Sequence, residues 1–293
     1  MRGVRRIFAA TLCFLLWPTA LRAAEQPRLK VVTSFLPAYC FSVNVAGGVA
    51  EVENLLPAAV GPHEYQFSPR DLGKLAAADV IVVNGLQLEA WLDKAIQTAA
   101  PKKAPLVVEC AVGLREELIH DHAQQVNPHI WLDPRLAAHA VTNISRALQQ
   151  LDAAHTEDYA RNARQYIARL KQLDGEIRAS VASFKQRNLV TYHNAFPYFA
   201  RRYDLKVIEV VEEVPDVEPS PQHVRRLLRA VREHGLKALF VEPQFSPRLA
   251  QQLARDVGVA VAELDTLETG PLTPGAYEDG LRRNLRVLEQ YLK

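Results

Sequence analysis

Cysteine, methionine and long apolar runs are scarce in this sequence. Its 293 residues include one Met and three Cys. Cys13 lies inside an N-terminal apolar run, not at its end after small residues, so it lacks the setting of a lipid-attachment cysteine. Cys40 and Cys110 remain; export would permit a disulfide between them, two buried thiols are the alternative, and the sequence does not separate the two. Gly (13) and Pro (18) are not concentrated enough for a disordered chain. Beyond the N-terminal run no apolar stretch is long enough to span a membrane. No long basic run is present, which leaves a nucleic-acid role without support. No His-Glu-x-x-His helix occurs, so a compact zinc-hydrolase motif is missing too.

Residues 1–24 read as a signal peptide. Arg2, Arg5 and Arg6 form a basic start, residues 7–17 an apolar run, and Pro18 with Ala20, Ala23 and Ala24 an approximate cleavage zone. The segment holds four arginines (Arg2, Arg5, Arg6, Arg22) and no acidic residue. Without it the net charge changes from +2 to −2, with 31 basic against 33 acidic residues. The basicity of the whole chain belongs largely to its first segment.

The remainder alternates strand and helix. Residues 29–35, 49–56, 79–84 and 105–109 are β-branched runs read as strands. Helices are expected at 37–47, at 68–76 (Ser-Pro-Arg-Asp start) and at 89–99. Residues 114–126 interrupt the pattern as an exposed loop. A helix follows from Pro134 to about 150, with Asp133 as its cap. From 152 to 187 apolar residues recur at three- and four-residue steps, which predicts one long helix of roughly 50 Å. Strands then recur at 188–192, 206–211, 238–241 and 259–264. Helices are expected at 195–203, 220–234, 246–257 and 277–292. The string Gln-Phe-Ser-Pro-Arg occurs at 66–70 and 244–248, read as shared helix-start chemistry and not as a duplicated lobe. The expected fold is α/β: an N-terminal lobe (25–151) and a C-terminal lobe (188–293), each a mainly parallel sheet flanked by helices, joined by a rigid helix (152–187).

Ligands of open α/β sheets gather at the carboxyl ends of strands. That rule selects His63, in the breaker-rich loop after the second strand, and His129, between two prolines in Asn-Pro-His-Ile-Trp-Leu-Asp-Pro. It also selects His193 and Asp265, each at a strand end. Three imidazoles and a carboxylate suit Zn2+. Spacing alone does not establish the set, because a lone His beside a strand is more often a hydrogen-bonded structural residue. Glu64, Glu242, Tyr65 and Asn194 are candidates for outer support, with Glu242 placed to orient a ligand. His139, His155, His223 and His234 read as surface residues of helices, and Trp91 and Trp131 as packing residues.

Several stretches together resemble a known family. They are Gly-Pro-His-Glu-Tyr at 61–65 with Ser-Pro-Arg-Asp at 68–71, Val-Asn-Gly-Leu-x-Leu-Glu-x-Trp-Leu at 83–92, Asn-Pro-His-Ile-Trp-Leu-Asp-Pro at 127–134, Tyr-His-Asn-Ala-Phe-x-Tyr-Phe at 192–199, Val-Glu-Pro-Gln-Phe-Ser at 241–246 and Glu-Leu-Asp at 263–265. They are similar to the zinc- and manganese-binding solute-binding proteins of ABC importers (ZnuA/TroA-like, cluster A-I). The resemblance implies a metal in the cleft between two lobes, with ligands His63, His129, His193 and Asp265. It implies Zn2+ as transported cargo, with Mn2+ less favoured because the third position is His where manganese-binding relatives tend to carry Glu. It further implies a non-enzymatic, periplasmic, monomeric carrier whose partner is the membrane permease. His120 and His122 stand where zinc-binding relatives carry a longer His- and acid-rich insertion, and read equally as a capture site or as a solvated loop. The alternatives are a manganese-importer component, a zinc-dependent hydrolase or a metal-binding adhesin.

Overall fold

The computed structural model describes residues 28–63, 65–120, 124–212, 219–244 and 248–293. Its first sheet comprises β1 (Lys30–Thr33), β2 (Glu51–Asn54), β3 (Val80–Val83) and β4 (Leu106–Glu109), all parallel, in the order β2-β1-β3-β4. The second comprises β5 (Asn188–Thr191), β6 (Lys206–Val210), β7 (Ala238–Val241) and β8 (Ala260–Glu263), also parallel, in the equivalent order β6-β5-β7-β8. In each sheet the third strand in sequence is an unbroken apolar run, Val-Ile-Val-Val in β3 and Ala-Leu-Phe-Val in β7. All four residues of each are buried, as expected where helices cover both faces.

The helices are α1 (Leu36–Ala46), α2 (Pro69–Ala77), α3 (Leu92–Ala99), α4 (Pro134–Leu151), α5 (Thr156–Val181), α6 (Pro197–Arg202), α7 (Pro221–Glu233), α8 (Arg248–Val257) and α9 (Ala276–Leu292). Proline opens several of them, where its missing N–H is no loss. Asp133 caps α4 by accepting from the Arg135 amide at 2.8 Å, and Ser220 caps α7 by accepting from the His223 amide at 3.1 Å. Gly47 closes α1 with φ 56, a left-handed conformation that Gly adopts without strain. These boundaries follow the sequence pattern closely. The expected start of α8 at Ser246-Pro247 lies outside the described residues, as do the signal segment, Glu64 and His122.

The long helix is shorter than its periodicity predicts. A 3-10 turn at Ala153–His155 separates α4 from α5, and α5 has 26 residues, roughly 39 Å. Ahead of α5 the Asp152 carboxylate accepts from His155 Nδ1 at 2.8 Å and from the Tyr159 hydroxyl at 2.8 Å, tying the 3-10 turn to the first turns of α5. Tyr159, Ala163, Tyr166, Leu170, Leu173, Ile177 and Val181 form the buried stripe of α5. The helix packs against α1 and α4 beside the first sheet and against α9 beside the second, so it joins the two lobes. Phe41 of α1 meets Tyr277 of α9 edge-on, with ring centroids 5.0 Å apart. One continuous hydrophobic core therefore runs from Phe35 and Trp131 through Tyr166 to Tyr277 and Leu288, under both lobes.

Cys40 and Cys110 are both free, buried thiols. Cys40 donates to the Thr273 carbonyl at 3.4 Å, and burial pushes its thiol up to about 12; burial also raises Cys110. The 114–126 segment is less loose than expected. Its base is pinned by a bridge between His120 and Val126, by Asn127 N–H to Ile119 at 2.8 Å, and by Ile119 N–H to the Tyr198 hydroxyl at 3.1 Å. Among the described residues no helix is long and apolar enough to cross a membrane.

Candidate metal centre

The carboxyl ends of the two sheets meet across the cleft, and four side chains converge there. His63 stands on the loop between β2 and α2. That loop is held at Pro62, whose carbonyl accepts from Trp91 Nε1 at 2.8 Å, and at Tyr65, whose hydroxyl donates to Asp71 at 2.7 Å. The His63 side chain is 35% exposed, whereas the other three members are buried.

His129 is fixed in tautomer as well as in place. Asn127 Nδ2 donates across the cleft to the Asn194 carbonyl at 2.7 Å, which orients the amide so that Oδ1 faces back. That oxygen accepts from the His129 backbone N–H at 3.1 Å and lies 2.9 Å from Nδ1. Nδ1 therefore carries the proton and Nε2 presents a bare lone pair. His193 is set in the same way by a charged partner. Its Nδ1 lies 3.0 Å from Glu242 Oε1, which turns its Nε2 towards the cleft. The two Nε2 atoms face each other at 3.1 Å.

Glu268 completes the group from the loop after β8. Its Oε1 lies 3.3 Å from His63 Nε2 and 3.4 Å from His129 Nε2. One donor atom from each of His63, His129, His193 and Glu268 falls within 4.8 Å of all the others. Tetrahedral Zn2+ with bonds of about 2.0–2.1 Å needs donors roughly 3.3–3.4 Å apart, close to the three separations above. His63 and Glu268 are 205 positions apart in sequence.

The electrostatics favour a cation. Burial pulls His129 down to about 4, with the neighbouring imidazoles acting in the same direction and Glu268 opposing, so its ring is neutral and ready to coordinate. Burial also works against a charged His193, but the Glu242 carboxylate overcomes it and raises the ring above the ordinary 6.5. Burial would raise Glu268, yet contact with His129 and His63 holds it well below the usual carboxylate range. A dication here would meet two nearby buried carboxylates, Glu268 and Glu242, which balance its charge.

Of the four residues expected from the sequence, the structure brings His63, His129 and His193 together and leaves Asp265 out. Asp265 folds its short side chain back on its own loop, where Oδ1 accepts from the Leu267 N–H at 2.7 Å. Glu268, three residues further along the same loop, reaches the site instead. Strand-end placement points to the loop but does not choose between its two carboxylates. Glu242 stands beside His193 as expected. Tyr65 supports the His63 loop through Asp71, and Asn194 offers its backbone carbonyl to Asn127. Trp91 and Trp131 pack and also donate, Trp131 to the Thr266 carbonyl at 2.7 Å. His139 reaches the Val112 carbonyl, 27 positions away after β4, and His155 bonds locally to Asp152. His223 differs from expectation: it is buried, with Nε2 2.8 Å from the Val210 carbonyl. His120 sits exposed at the base of its loop.

Comparison with known proteins bears on the fold and the family. A family model described as "Zinc-uptake complex component A periplasmic" (ZnuA) matches residues 31–291. The high-affinity zinc uptake system protein ZnuA of Bacillus subtilis is 30% identical over 280 residues, 89% of this chain and 88% of that protein. The zinc-binding protein AdcA of Streptococcus pyogenes is 30% identical, and the match covers 92% of this chain but 57% of AdcA. The solved laminin-binding protein Lmb of Streptococcus agalactiae, described as bifunctional with adhesin and metal-transporting activity, superposes with a TM-score of 0.82 at 31% identity, covering 91% of this chain and all of that one. With two parallel-sheet lobes, a long helix between them and a match over nearly its whole described length, the chain belongs to the ZnuA family of zinc-uptake components.

Proposed function

We propose that this protein captures Zn2+ outside the cytoplasm and delivers it to the membrane permease of an ABC importer. It is a carrier, like the solute-binding proteins of its family, and makes or breaks no bond. The observation that carries the reading is the convergence of His63, His129, His193 and Glu268 on one small volume. Three imidazoles and one carboxylate match borderline Zn2+, whereas Mn2+ prefers more oxygen donors. Four protein donors also close a tetrahedral shell, which suits holding an ion better than activating a water on it.

The ligands come two from each lobe, so the ion ties the lobes together. The shared core beneath α5 and α9 opposes wide opening, and capture and release then proceed by small tilts and loop movement. In this reading residues 1–24 direct export to the periplasm, residues 25–151 and 188–293 form the two metal-binding lobes, and 152–187 links them. A single chain supplies all four donors, which supports action as a monomer.

Ligand binding to the folded state alone raises its stability by mass action. With Zn2+ at ~1,000 times its dissociation constant the gain is about 4 kcal/mol. For a chain of this length that amounts to a rise of roughly 7 °C in Tm. Calorimetry of the exported form, stripped with chelator and then titrated, measures it. Zn2+ is expected to give this shift and Mn2+ a smaller one at equal concentration. The absence of any metal-dependent shift would overturn the proposal.

A further inference from the structure

Glu268 is delivered to the site by a turn that its own residues disfavour. Leu267, the residue before it, has φ 61, and a bulky non-glycine side chain rarely takes the left-handed region. Leu267 is nonetheless buried, and contacts at Leu267 and at Asp265 hold the turn. Asp265 Oδ1 accepts from the Leu267 N–H at 2.7 Å. Asn284 of α9 clamps the preceding backbone with both ends of its amide: Oδ1 accepts from Asp265 N–H at 2.8 Å and Nδ2 donates to the Asp265 carbonyl at 2.6 Å. The Leu267 side chain lies over Gly280, one helical turn before Asn284, where a Cβ would stand 2.2 Å from Leu267 Cδ2. Asn284 is 2% exposed, so water offers little competition for either bond.

We infer that Asn284 and Gly280 are positioning residues for zinc binding: α9 is a mould that holds the Asp265–Leu267 turn and thereby aims Glu268 into the cleft. Asp265 is part of this mould and not a ligand. The argument rests on the reading of Glu268 as a ligand. An extended Leu267 would turn the chain direction at Glu268 away from the imidazoles, while the sheet and the α9 packing would survive. The Thr266 carbonyl between these residues accepts from Trp131, so the same turn is registered against the segment that bears His129.

A double-mutant cycle tests the inference, with Zn2+ affinity measured by chelator competition on the exported form. Asn284→Ala is expected to weaken binding by about 10–100-fold, the usual cost of losing an outer partner of a metal site. In a Glu268→Ala background the same change is expected to cost less than about threefold, because its effect passes through Glu268. Equal losses from Asn284→Ala in both backgrounds, or no loss in the wild type, would overturn the inference and leave the Glu268 reading standing. No loss from Glu268→Ala itself would remove both. Should Asn284→Ala fail to fold, Gly280→Ala replaces it. Its added Cβ would stand 2.2 Å from Leu267 Cδ2 and must displace that side chain. A loss of affinity that shrinks in the Glu268→Ala background supports positioning, whereas an equal loss in both backgrounds or unchanged affinity counts against the inference.

Discussion

Glu268→Ala is expected to weaken Zn2+ binding by at least about 100-fold, more than loss of an outer partner brings. Three of the four donors are buried, and Glu268 is the one carboxylate in the described group, with Glu242 behind His193. Removing it leaves a dication among neutral imidazoles in a low-dielectric cleft, where an uncompensated charge is costly. Glu268→Gln separates charge from shape, since it keeps an oxygen at the same reach and loses the ion; its affinity is expected to fall between the two. Chelator-competition titration of these variants beside Asp265→Asn decides which carboxylate of the loop binds. Strong loss from Asp265→Asn with little from Glu268→Ala would return the fourth position to Asp265.

The second large effect is acid release. Protons compete with zinc for the same lone pairs. Glu268 is held well below the carboxylate range and His129 at about 4, so over the neutral range these two wait in their binding forms. His193 is raised by Glu242 and must lose a proton before it binds. Affinity is therefore expected to be level at alkaline pH. It should begin to fall above the ordinary imidazole value of 6.5, then drop about tenfold per pH unit for each proton taken up. Glu242→Gln removes the charge that raises His193, so the onset should move to lower pH. The same change should weaken binding at alkaline pH, because one balancing charge is gone. A pH series of dissociation constants for both proteins checks the two opposite shifts; an unmoved onset would mean that Glu242 does not govern His193.

The metal-free protein carries the signs in its stability. His193 has a raised folded pKa, so its contribution is complete below the unfolded value and lost as pH rises through the folded one. His129 has a depressed one, so its contribution is present above 6.5 and lost as pH falls towards about 4. Zinc requires both rings neutral, and of the two His193 is the one whose proton it must displace, so its stabilising effect should be largest on the alkaline side.

Much of this architecture is legible locally. Ser68, Asp133 and Ser220 ahead of proline mark three helix starts, and each is where the chain turns into a helix. The apolar runs in β3 and β7 identify the central strands. His129 between Pro128 and Pro134, His193 at the end of β5 and His63 in its breaker-rich loop stand out by the same short-range rules. The helix expected over 152–187 is shorter at both ends, because periodicity reports which face is apolar and not where the backbone bonds go: residues 153–155 form a 3-10 turn, and past Val181 the amides of Lys185 and Gln186 donate to the Leu292 carbonyl of α9. His223 is buried where a surface position is expected for a related reason: its place in α7 is clear, but the β6 carbonyl that draws it inward is supplied by another element.

The sequence by itself determined the strand and helix order, the loops that bear the metal donors, and three of the four side chains that converge. Those follow from caps, prolines and burial patterns acting over a few residues. Only the tertiary structure decided the fourth. Asp265 and Glu268 are equally good donors three residues apart, and the choice between them is made by Asn284, 19 positions away, and by the notch at Gly280. Those two hold the Asp265–Leu267 turn, in which Leu267 takes a positive φ that its bulky side chain disfavours.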